Sequence, residues 1–189
     1  MALYSAGVEY GIHCLAFLVG NYGDTREASV RDLAELQGVP QDYLAKIFTK
    51  LAKAKLVAAT EGVRGGFKLA RQADEITLLD IVNAIDGRKA IFECREIRGR
   101  CALFEGETPE WAVEGRCSIH AAMLTAQKRM EEALAQQTIL DIARKVGRKA
   151  PAEFGEQLEN WMNDRRERKG NGGAQTSDDQ LIQVTEVSN

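Results

Sequence analysis

Apolar side chains recur with a helical period over much of the N-terminal half of the chain. Residues 4–20 carry such a stripe and predict a first helix, which three glycines weaken. Ser29 and Asp32 have the spacing of a helix cap in front of VRDLAELQ, and Gly38 is placed to end this short second helix. A third helix is expected from Gln41 to Ala54. The residues predicted for its buried face are Tyr43, Leu44, Ile47 and Leu51.

A glycine-rich segment follows, between two short apolar runs. Leu56–Ala59 and Phe67–Leu69 flank a loop with three glycines and one arginine, which predicts a β-hairpin. Two short helices joined by a tight glycine turn form a helix-turn-helix, and a hairpin directly after the second of them is a wing. Residues 76–86 predict a further amphipathic helix that ends at Gly87.

The periodicity disappears between Ile91 and Cys117 and returns in a long helix from about Ser118 to Gln136. Apolar residues in this helix and just beyond it recur every seven positions. Such a seam favours a contact between the long helices of two copies of the chain, and the alternative is that the stripe packs on its own domain. The seam consists of Ile119, Ala126, Ala133 and Leu140, with a second series at Met123 and Met130.

Two further elements are expected near the C-terminus. Thr138 and Asp141 have the spacing of another helix cap and predict a closing helix to about Val146. Residues 152–169 can form an amphipathic helix. The last twenty residues lack aromatic side chains, and we expect them to be disordered. The apolar positions of the amphipathic helix are Phe154, Leu158, Trp161 and Met162.

Together these elements predict a mainly α fold with a small β-hairpin wing. The architecture is a winged helix-turn-helix followed by a long C-terminal dimerisation helix. The expected division is a DNA-binding domain over residues 1–87, a cysteine-containing loop over 88–117, the dimerisation helix over 118–146 and a C-terminal extension over 147–189.

The composition limits where the protein works. No apolar run reaches the roughly 18–20 residues of a membrane span. The N-terminus has no basic region of a signal peptide, and Glu9 and His13 interrupt its apolar stretch. We therefore expect a cytoplasmic protein with no membrane partner. In the cytoplasm, the four cysteines are expected to be metal ligands or redox groups and not structural disulfides.

The formal net charge of −3 at pH 7 argues against nucleic-acid binding if it is taken alone. The charge is unevenly distributed, however, because residues 46–71 carry seven cations and a single anion, Glu61. Such a block is typical of a surface that contacts phosphate, although a solvated basic face is the simpler alternative. Its position, across the helix-turn-helix and the wing, favours DNA.

The third predicted helix is expected to lie in the major groove, with its N-terminal residues near the base edges. Gln41 can pair with adenine, Asp42 can accept from cytosine and Lys46 can reach guanine or phosphate. Lys50 is expected at a phosphate, and Arg64 at the tip of the wing in the minor groove. The full set of candidate DNA-contacting residues is Ser29, Gln41, Asp42, Tyr43, Lys46, Lys50, Arg64 and Lys68.

Three cysteines and a histidine lie in the segment without periodicity or just after it. Cys94, Cys101, Cys117 and His120 form the pattern C-x6-C-x15-C-x2-H. Thiolates are soft anionic ligands that suit iron–sulfur clusters, and irregular spacing lets a loop wrap a cluster. Zinc usually takes cysteines in closely spaced pairs, which are absent here. An iron–sulfur cluster is favoured at this point, and a zinc ion and a thiol redox switch remain open.

Glu9 and His13 are four positions apart and therefore project from one face of the first helix. Taken alone, a surface carboxylate and a half-buried histidine with satisfied hydrogen bonds are the simpler interpretation. Cys14 faces another direction, and we expect it to be a small buried hydrophobe.

Several of these motifs resemble a known family, the winged-helix iron–sulfur regulators of the IscR, NsrR and RsrR type. The resemblance covers about residues 1–146. It rests on GVEYGIHCL, on VPQDYLAKIFTKLAKAKLV followed by EGVRGGFKLAR, on ITLLDIVNAIDG and on the cysteine segment that ends in CSIHAAM. It implies a homodimer in which the long helices cross and a cluster lies near the partner's first helix. It also implies repression or activation at palindromic promoter sites.

The resemblance also implies a ligand set, with residues 88–117 as the cluster-binding loop. IscR-like members use three cysteines and a histidine shortly after the last of them, and Cys94, Cys101, Cys117 and His120 match that set, although the spacing of fifteen residues before Cys117 is longer than in those members. NsrR-like members add an acidic residue from the partner's first helix, where this chain has Glu9. RsrR-like members use a Glu and a His of that helix, and Glu9 with His13, together with FECREIR, is most similar to this group. The candidate ligands are Cys94, Cys101 and Cys117, with the remaining one among Glu9, His13 and His120.

The expected function is a transcription regulator, most simply a repressor, that binds double-stranded promoter DNA. It would sense redox state, nitric oxide or iron–sulfur status through a 2Fe-2S or 4Fe-4S cluster. No nucleotide-binding glycine motif or Ser/His/Asp arrangement indicates an enzyme, and no small-molecule substrate is expected. Two alternatives remain. One is a cluster-free regulator that senses through disulfides, and the other is an iron–sulfur electron-transfer protein, which leaves the basic helix and wing unexplained.

Overall fold

The computed structural model describes residues 2–20, 24–60 and 65–171, and over these residues the chain is mainly helical with one two-stranded hairpin. This confirms the fold class predicted above. The helices are α1 (Ala6–Phe17), α2 (Val30–Gln37), α3 (Gln41–Lys53), α4 (Leu78–Asp86), α5 (Glu110–Val113), α6 (Ser118–Ala135), α7 (Ile139–Lys149) and α8 (Ala152–Asn171), and the strands are β1 (Val57–Ala59) and β2 (Phe67–Leu69).

Side-chain caps define the starts of three of these helices, α2, α7 and also α4, where Thr77 and Asp80 form a capping box. The Ser29 hydroxyl accepts the Asp32 backbone N–H at 3.2 Å, and Gly38 closes α2 in the left-handed region at φ 63°. Thr138 and Asp141 form a reciprocal capping box at the start of α7. The caps predicted for α2 and α7 are confirmed. α7 continues to Lys149, past the expected end at Val146.

The core of the helix-turn-helix lies on one face of α3. Leu44, Ile47, Phe48 and Leu51 are buried at the i, i+3, i+4 and i+7 positions of that helix. The prediction that Tyr43 belongs to this face is wrong, because Tyr43 remains 40% exposed. Tyr43 therefore lies at the edge of the buried face of α3, and Phe48, which was not predicted for this face, is fully buried in it.

The wing follows α3 directly. β1 and β2 pair antiparallel where the hairpin was predicted, with Val57 opposite Leu69 and Ala58 opposite Lys68. Residues 61–64 lie outside the described part of the chain, and these include Arg64, the residue predicted to enter the minor groove.

Ala28, just before α2, also pairs with strand β2 of the wing through its backbone. The Ala28 N–H donates to the Phe67 carbonyl at 3.1 Å, and the Phe67 N–H donates to the Ala28 carbonyl at 2.8 Å. A Cβ on Gly66 would lie 2.6 Å from the Ala28 carbonyl oxygen, so this close approach requires a glycine. The wing is thereby tied to the start of the helix-turn-helix.

α1 packs closely on α4. A Cβ on Gly11 would lie 2.4 Å from the Ile85 side chain, which explains why a glycine that weakens the isolated helix is present here. At the start of α1, the Asp86 carboxylate accepts the Ser5 N–H at 2.8 Å and the Ser5 hydroxyl at 2.6 Å. α4 therefore caps α1 from outside.

α6 and α7 contribute differently to the core. α6 buries none of its residues, although it contacts α4. Ile139 of α7 is fully buried, and its N–H donates to the Ile76 carbonyl at 2.8 Å. α7 also packs on α1.

α8 is continuous with the same core. Leu158 and Met162 are buried in the hydrophobic cluster that holds the helix-turn-helix together. Arg26 reaches Glu159 at 2.8 Å, and Arg165 pairs with Glu35 of α2 while it lies over the Trp161 ring. The helix predicted from its apolar positions forms and covers the N-terminal domain. No helix in the described ranges is long and apolar enough to cross a membrane.

Candidate nucleic-acid interface and cysteine segment

The outer face of α3 is polar and accessible. The chain enters the helix through Pro40, and Gln41, Asp42 and Lys46 are all exposed. These are the residues predicted to approach base edges. Nothing in the fold competes for their side chains, since no ion pair or side-chain hydrogen bond involves them among the described residues.

The basic block predicted from the sequence forms an exposed surface. Lys46, Lys53, Lys55 and Lys68 are exposed, and none of them has a carboxylate within 4 Å in the described ranges. Among the cations of this block in the described residues, Arg71 is the one that forms an ion pair, with Asp80 at 3.5 Å. The surface therefore keeps its positive charge available for phosphate.

Lys50 has a partner within the fold. Its ammonium donates to the Ile85 carbonyl near the end of α4 at 2.6 Å. A cation at the C-terminus of a helix satisfies an unpaired carbonyl and interacts favourably with the helix dipole. The sequence suggested only a phosphate contact for Lys50, and its structural bond to α4 was missed.

Ser29 and Tyr43 also have roles inside the fold. The Ser29 hydroxyl caps α2 and donates to the Asp32 carboxylate at 2.5 Å. The Tyr43 ring meets Tyr10 of α1 edge to face, and the Tyr43 hydroxyl lies 3.0 Å from the position that a Cβ on Gly7 would occupy. α1 and the outer edge of α3 are thus in direct contact.

The three cysteines of the loop lie at different levels of exposure. Cys94 and Cys117 are half-buried, and Cys101 is exposed between the short 3-10 turns Arg98–Arg100 and Ala102–Phe104. All three are free thiols. No group of three His, Cys, Asp or Glu side chains that could hold a metal ion is found in the described residues. A single chain therefore does not gather the predicted ligands.

Cys117 stands at the start of α6. Hydrogen bonds from the His120 backbone amide, and then from that of Ile119, lower the pKa of the Cys117 thiol against the effect of burial, and the charge of Arg98 acts in the same direction. A helix N-terminus commonly stabilises a thiolate in this way. Cys117 is therefore the loop cysteine best prepared to act as an anionic ligand or nucleophile.

Arg98 organises the segment around Cys117. Its guanidinium donates to the carboxylate of Glu96 at 2.6 and 2.9 Å. It also donates to three consecutive backbone carbonyls, those of Val113, Glu114 and Gly115, at 3.0–3.2 Å. Its charge acts on both Cys94 and Cys117. Sequence reasoning missed this residue, because one arginine in an aperiodic loop carries no signal of the carbonyls that it will meet.

Glu9 and His13 share one face of α1, as their spacing predicted. Both are exposed, and both line an open groove together with Tyr4 and Ile12. The expectation of a half-buried His13 is wrong, since the side chain is exposed. Cys14, on the opposite side, is fully buried, and burial raises the pKa of its thiol to about 12. The prediction that Cys14 is a buried hydrophobe is confirmed.

His120 lies one turn into α6. Its ring is tilted against Phe92, with the centroids 6.2 Å apart, and it is half-buried. His120 is close enough to Glu96 for the two to interact electrostatically. The cysteine loop, Glu96, Arg98 and His120 therefore belong to one neighbourhood, while Glu9 and His13 lie in the groove on α1.

The three loop cysteines are the thiol donors available for an iron–sulfur cluster. The chemistry of these donors fits, because such clusters are held by cysteine thiolates. The three thiols are free, and the pKa of Cys117 is lowered. The geometry of one chain is incomplete, because three donors do not converge in the described residues. Large apolar side chains also remain exposed around the loop. They are Ile97, Leu103, Trp111, Val113 and Ile119.

Comparison with known proteins identifies relatives of the whole N-terminal part. Residues 4–145 match the model of a family described as Rrf2, iron-dependent transcriptional regulator. A protein called rrf2 from Nitratidesulfovibrio vulgaris is 31% identical over 126 residues, which is 67% of this chain and 77% of the relative. The transcriptional regulator NsrR of Oceanobacillus iheyensis is 24% identical over 136 residues, 72% of this chain and 86% of the relative.

Solved structures agree in fold. The global cysteine regulator CymR of B. subtilis superposes with a TM-score of 0.58 at 20% identity, over 77% of this chain and 98% of that one. T. potens IscR gives a TM-score of 0.57 at 22% identity, over 80% and 93%. At this identity the likeness shows a shared fold. The family match ends inside α7, so α8 lies beyond it.

Proposed function

The chain belongs to the Rrf2 family of transcriptional regulators, and from that premise we propose that it is a homodimeric repressor whose promoter affinity responds to an iron–sulfur cluster. DNA binding and a regulatory, non-enzymatic role follow from the family. The dimer, the cluster and the direction of regulation are the proposal. The single observation that carries it is the accessible thiol segment around Cys117 and Arg98, beside an apolar surface that one chain leaves uncovered.

The DNA-reading part of the proposal assigns α3 to the major groove. Gln41, Asp42 and Lys46 face solvent at its N-terminal half and approach the base edges. Lys53, at the end of this helix, and Lys68, in strand β2 of the wing, contact phosphate. Arg64, outside the described residues, is proposed as the wing contact on its sequence position alone. Lys50 serves α4 first, and any phosphate contact that it makes is secondary.

The dimer is proposed because part of the predicted apolar seam is exposed in the described part of the chain, although Leu140 packs on the core and Met123 and Met130 are half-buried. Ile119, Ala126 and Ala133 are exposed on a helix of 18 residues that buries none of its side chains. Exposed apolar residues in a helical stripe are typical of an interface. A second copy crossing at this seam buries it and brings its own α1 towards the cysteine segment of the first chain.

The cluster ligands are proposed as Cys94, Cys101 and Cys117, completed by His120 of the same chain or by Glu9 or His13 of the partner subunit's α1. When bound, a cluster supplies a redox-active and nitric oxide-reactive centre. The chain's own residues do the rest. Arg98 fixes the segment next to Cys117, and backbone hydrogen bonds at the α6 N-terminus lower the pKa of that thiol.

The proposed path to the DNA runs through α1. Glu9 and His13 face the groove on one side of α1, and Tyr10 on the same helix touches Tyr43 of α3. If a change at the cysteine segment of one chain moves α1 of the partner subunit, the contact between α1 and α3 passes this movement to the partner's recognition helix. Two recognition helices must match the spacing of two half-sites, so a small change in their separation alters promoter affinity.

The test is anaerobic purification followed by iron and sulfide analysis, visible absorption and resonance Raman spectroscopy. The full chain is expected to carry iron and sulfide with thiolate-to-iron absorption. Cys94→Ser, Cys101→Ser and Cys117→Ser are each expected to lose it, while Cys14→Ser, a buried cysteine outside the loop, keeps it. Comparison of Glu9→Ala, His13→Ala and His120→Ala identifies the remaining ligand. Anaerobic protein without iron or sulfide would contradict the proposal.

One observation favours a second candidate, a cluster-free thiol regulator. The lowered pKa of Cys117 increases the share of thiolate, which is the reactive form in disulfide exchange. In that case iron-free protein binds its promoter, and an oxidant changes the binding through a disulfide that Cys117→Ser abolishes. Metal analysis of the same anaerobic preparation separates the two candidates.

A further inference from the structure

A cavity of about 450 Å³ lies between α1, α7 and α8. Its walls are mostly apolar and come from all three helices, through Phe17 of α1, Leu140 and Ala143 of α7, and Phe154 and Leu158 of α8. Sites for small molecules in proteins usually have volumes of about 300–1,000 Å³, mostly apolar walls and a few polar groups. The cavity has the size and the lining of such a site.

The charge of the lining has one sign. Arg26 and Arg144 line the cavity, and no acidic residue does so in the described part of the chain. The Arg26 guanidinium is held by the Val19 carbonyl at 2.7 Å and by Glu159 at 2.8 Å. Arg144 has no carboxylate within 4 Å in the described ranges. Arg144 is therefore the cation whose charge the fold leaves available.

We propose that this cavity, the α1–α7–α8 cavity, binds a small organic anion in which a carboxylate is joined to an apolar body. The apolar body lies against Phe17, Ala143 and Leu158, and the carboxylate pairs with Arg144. Arginine is suited to this contact because its planar guanidinium can donate two parallel hydrogen bonds to one carboxylate. A cationic ligand is disfavoured by Arg144, and a small ion without an apolar body leaves the walls uncovered.

The site goes beyond the cluster proposed above, and the two share one residue, because His13, a candidate cluster ligand, also lines this cavity. One wall is α8, which follows the region that the family match covers. α8 is held to the N-terminal domain through its own contacts, the buried Leu158 and Met162 and the ion pair between Arg165 and Glu35. One wall of the cavity is therefore a helix that lies outside the region matched to the family.

The experiment is calorimetric titration of the full chain with three probes. Decanoate, below its micellar concentration, is expected to bind with one site per chain. Acetate has the same charge without the apolar body, and decyltrimethylammonium has the same body with the opposite charge. Each is expected to bind at least roughly tenfold more weakly than decanoate, because each lacks one of the two interactions that the site offers.

Variants locate the binding. Arg144→Gln is expected to weaken decanoate binding roughly tenfold or more, which is the usual effect of losing a hydrogen bond to a charged group. Arg148→Gln is the matched control, because Arg148 is on the same helix, is exposed and does not line the cavity. Ala143→Trp fills the cavity and is expected to abolish binding. Circular dichroism and the melting temperature verify that each variant is folded.

Three results would overturn the proposal. The first is no decanoate binding above that of decyltrimethylammonium. The second is an equal loss of affinity in Arg144→Gln and Arg148→Gln. The third is a folded Ala143→Trp variant that binds decanoate like the parent protein. If that variant also has a changed sedimentation coefficient, the cavity belongs to a contact between copies of the chain.

Discussion

Tyr10 of α1 and Tyr43 of α3 meet edge to face, with ring centroids 5.9 Å apart and ring planes at 89°. The contact joins the helix that carries Glu9 and His13 to the outer edge of the recognition helix. Gly7, one turn before Tyr10, leaves space for the Tyr43 hydroxyl. An exposed aromatic side chain at this position is therefore explained by packing between helices, whether or not it also contacts DNA.

The first prediction concerns this pair. In a double-mutant cycle of Tyr10→Leu and Tyr43→Leu, an interaction energy of about 0.5–1.5 kcal/mol is expected between the two rings, from chemical denaturation of the four proteins. Promoter affinity is expected to fall more with Tyr43→Leu than with Tyr10→Leu, because only Tyr43 lies on the proposed DNA face. Additive stabilities would show that the ring contact has no energetic role.

The second prediction separates two lysines on α3. Lys46→Ala is expected to weaken promoter binding and to reduce the slope of log affinity against log salt by about 0.9, the value for one phosphate contact in duplex DNA. Lys50→Ala is expected to lower the free energy of unfolding by about 1 kcal/mol, because it removes the hydrogen bond to the Ile85 carbonyl. Lys128, 77% exposed on α6, supplies the control variant Lys128→Ala.

A smaller effect of Lys46→Ala than of Lys128→Ala on the salt slope would remove α3 from the DNA interface. An unchanged unfolding free energy in Lys50→Ala would instead show that its ammonium is free in solution.

The third prediction uses two glycines. Gly66→Ala places a methyl group 2.6 Å from the Ala28 carbonyl oxygen, so an unfolding free energy lower by about 1–3 kcal/mol is expected. Gly147 is inside α7 with open space around its Cβ position, and Gly147→Ala is expected to stabilise the protein by roughly 0.5–1 kcal/mol. Thermal and chemical denaturation measure both. Similar effects of the two substitutions would mean that Gly66 does not approach Ala28 closely.

Local signals in the sequence were sufficient for much of this fold. The cap at Thr138 and the left-handed Gly38 were predicted because the chemistry of these turns involves residues only a few positions apart. The hairpin followed from two short apolar runs and their glycines. Residues that depend on distant partners were not predicted. Periodicity placed Tyr43 inside the core, because a helical stripe cannot distinguish its centre from its edge when the neighbouring helix is unknown.

The same limit applies to the candidate site. The cysteine pattern named the thiols, but the hydrogen bonds of Arg98 to the carbonyls of residues 113–115 depend on how the loop folds back. The packing of α8 depends on pairs more than 100 positions apart, such as Arg26 with Glu159 and Arg165 with Glu35. Charged residues of this kind are common on solvated surfaces, so the sequence does not indicate which of them will form ion pairs with each other. The ligand set stays a prediction because one chain does not complete it.

The last prediction is a pH dependence of stability that originates at Asp86. Burial opposes ionisation of this carboxyl, but hydrogen bonds from the Lys89 ammonium and from the Ser5 hydroxyl and amide outweigh it and lower the pKa of Asp86 to about 2. An unfolded chain binds this proton nearer to pH 4. Because the folded pKa is the lower one, the stabilisation is fully present above about pH 4 and is lost as the pH falls through about 2.

The expected contribution of Asp86 at neutral pH is about 2 kcal/mol, an order-of-magnitude figure for a largely buried carboxylate. Asp86→Asn is therefore expected to lower the free energy of unfolding at pH 7 and to reduce its decrease between about pH 4 and 2. Urea denaturation of both proteins across this range measures the effect. Asp74→Asn, at an exposed aspartate with no ion pair in the described residues, is the control. Parallel stability curves for Asp86→Asn and the parent protein would show that the cap at Ser5 contributes nothing to acid sensitivity.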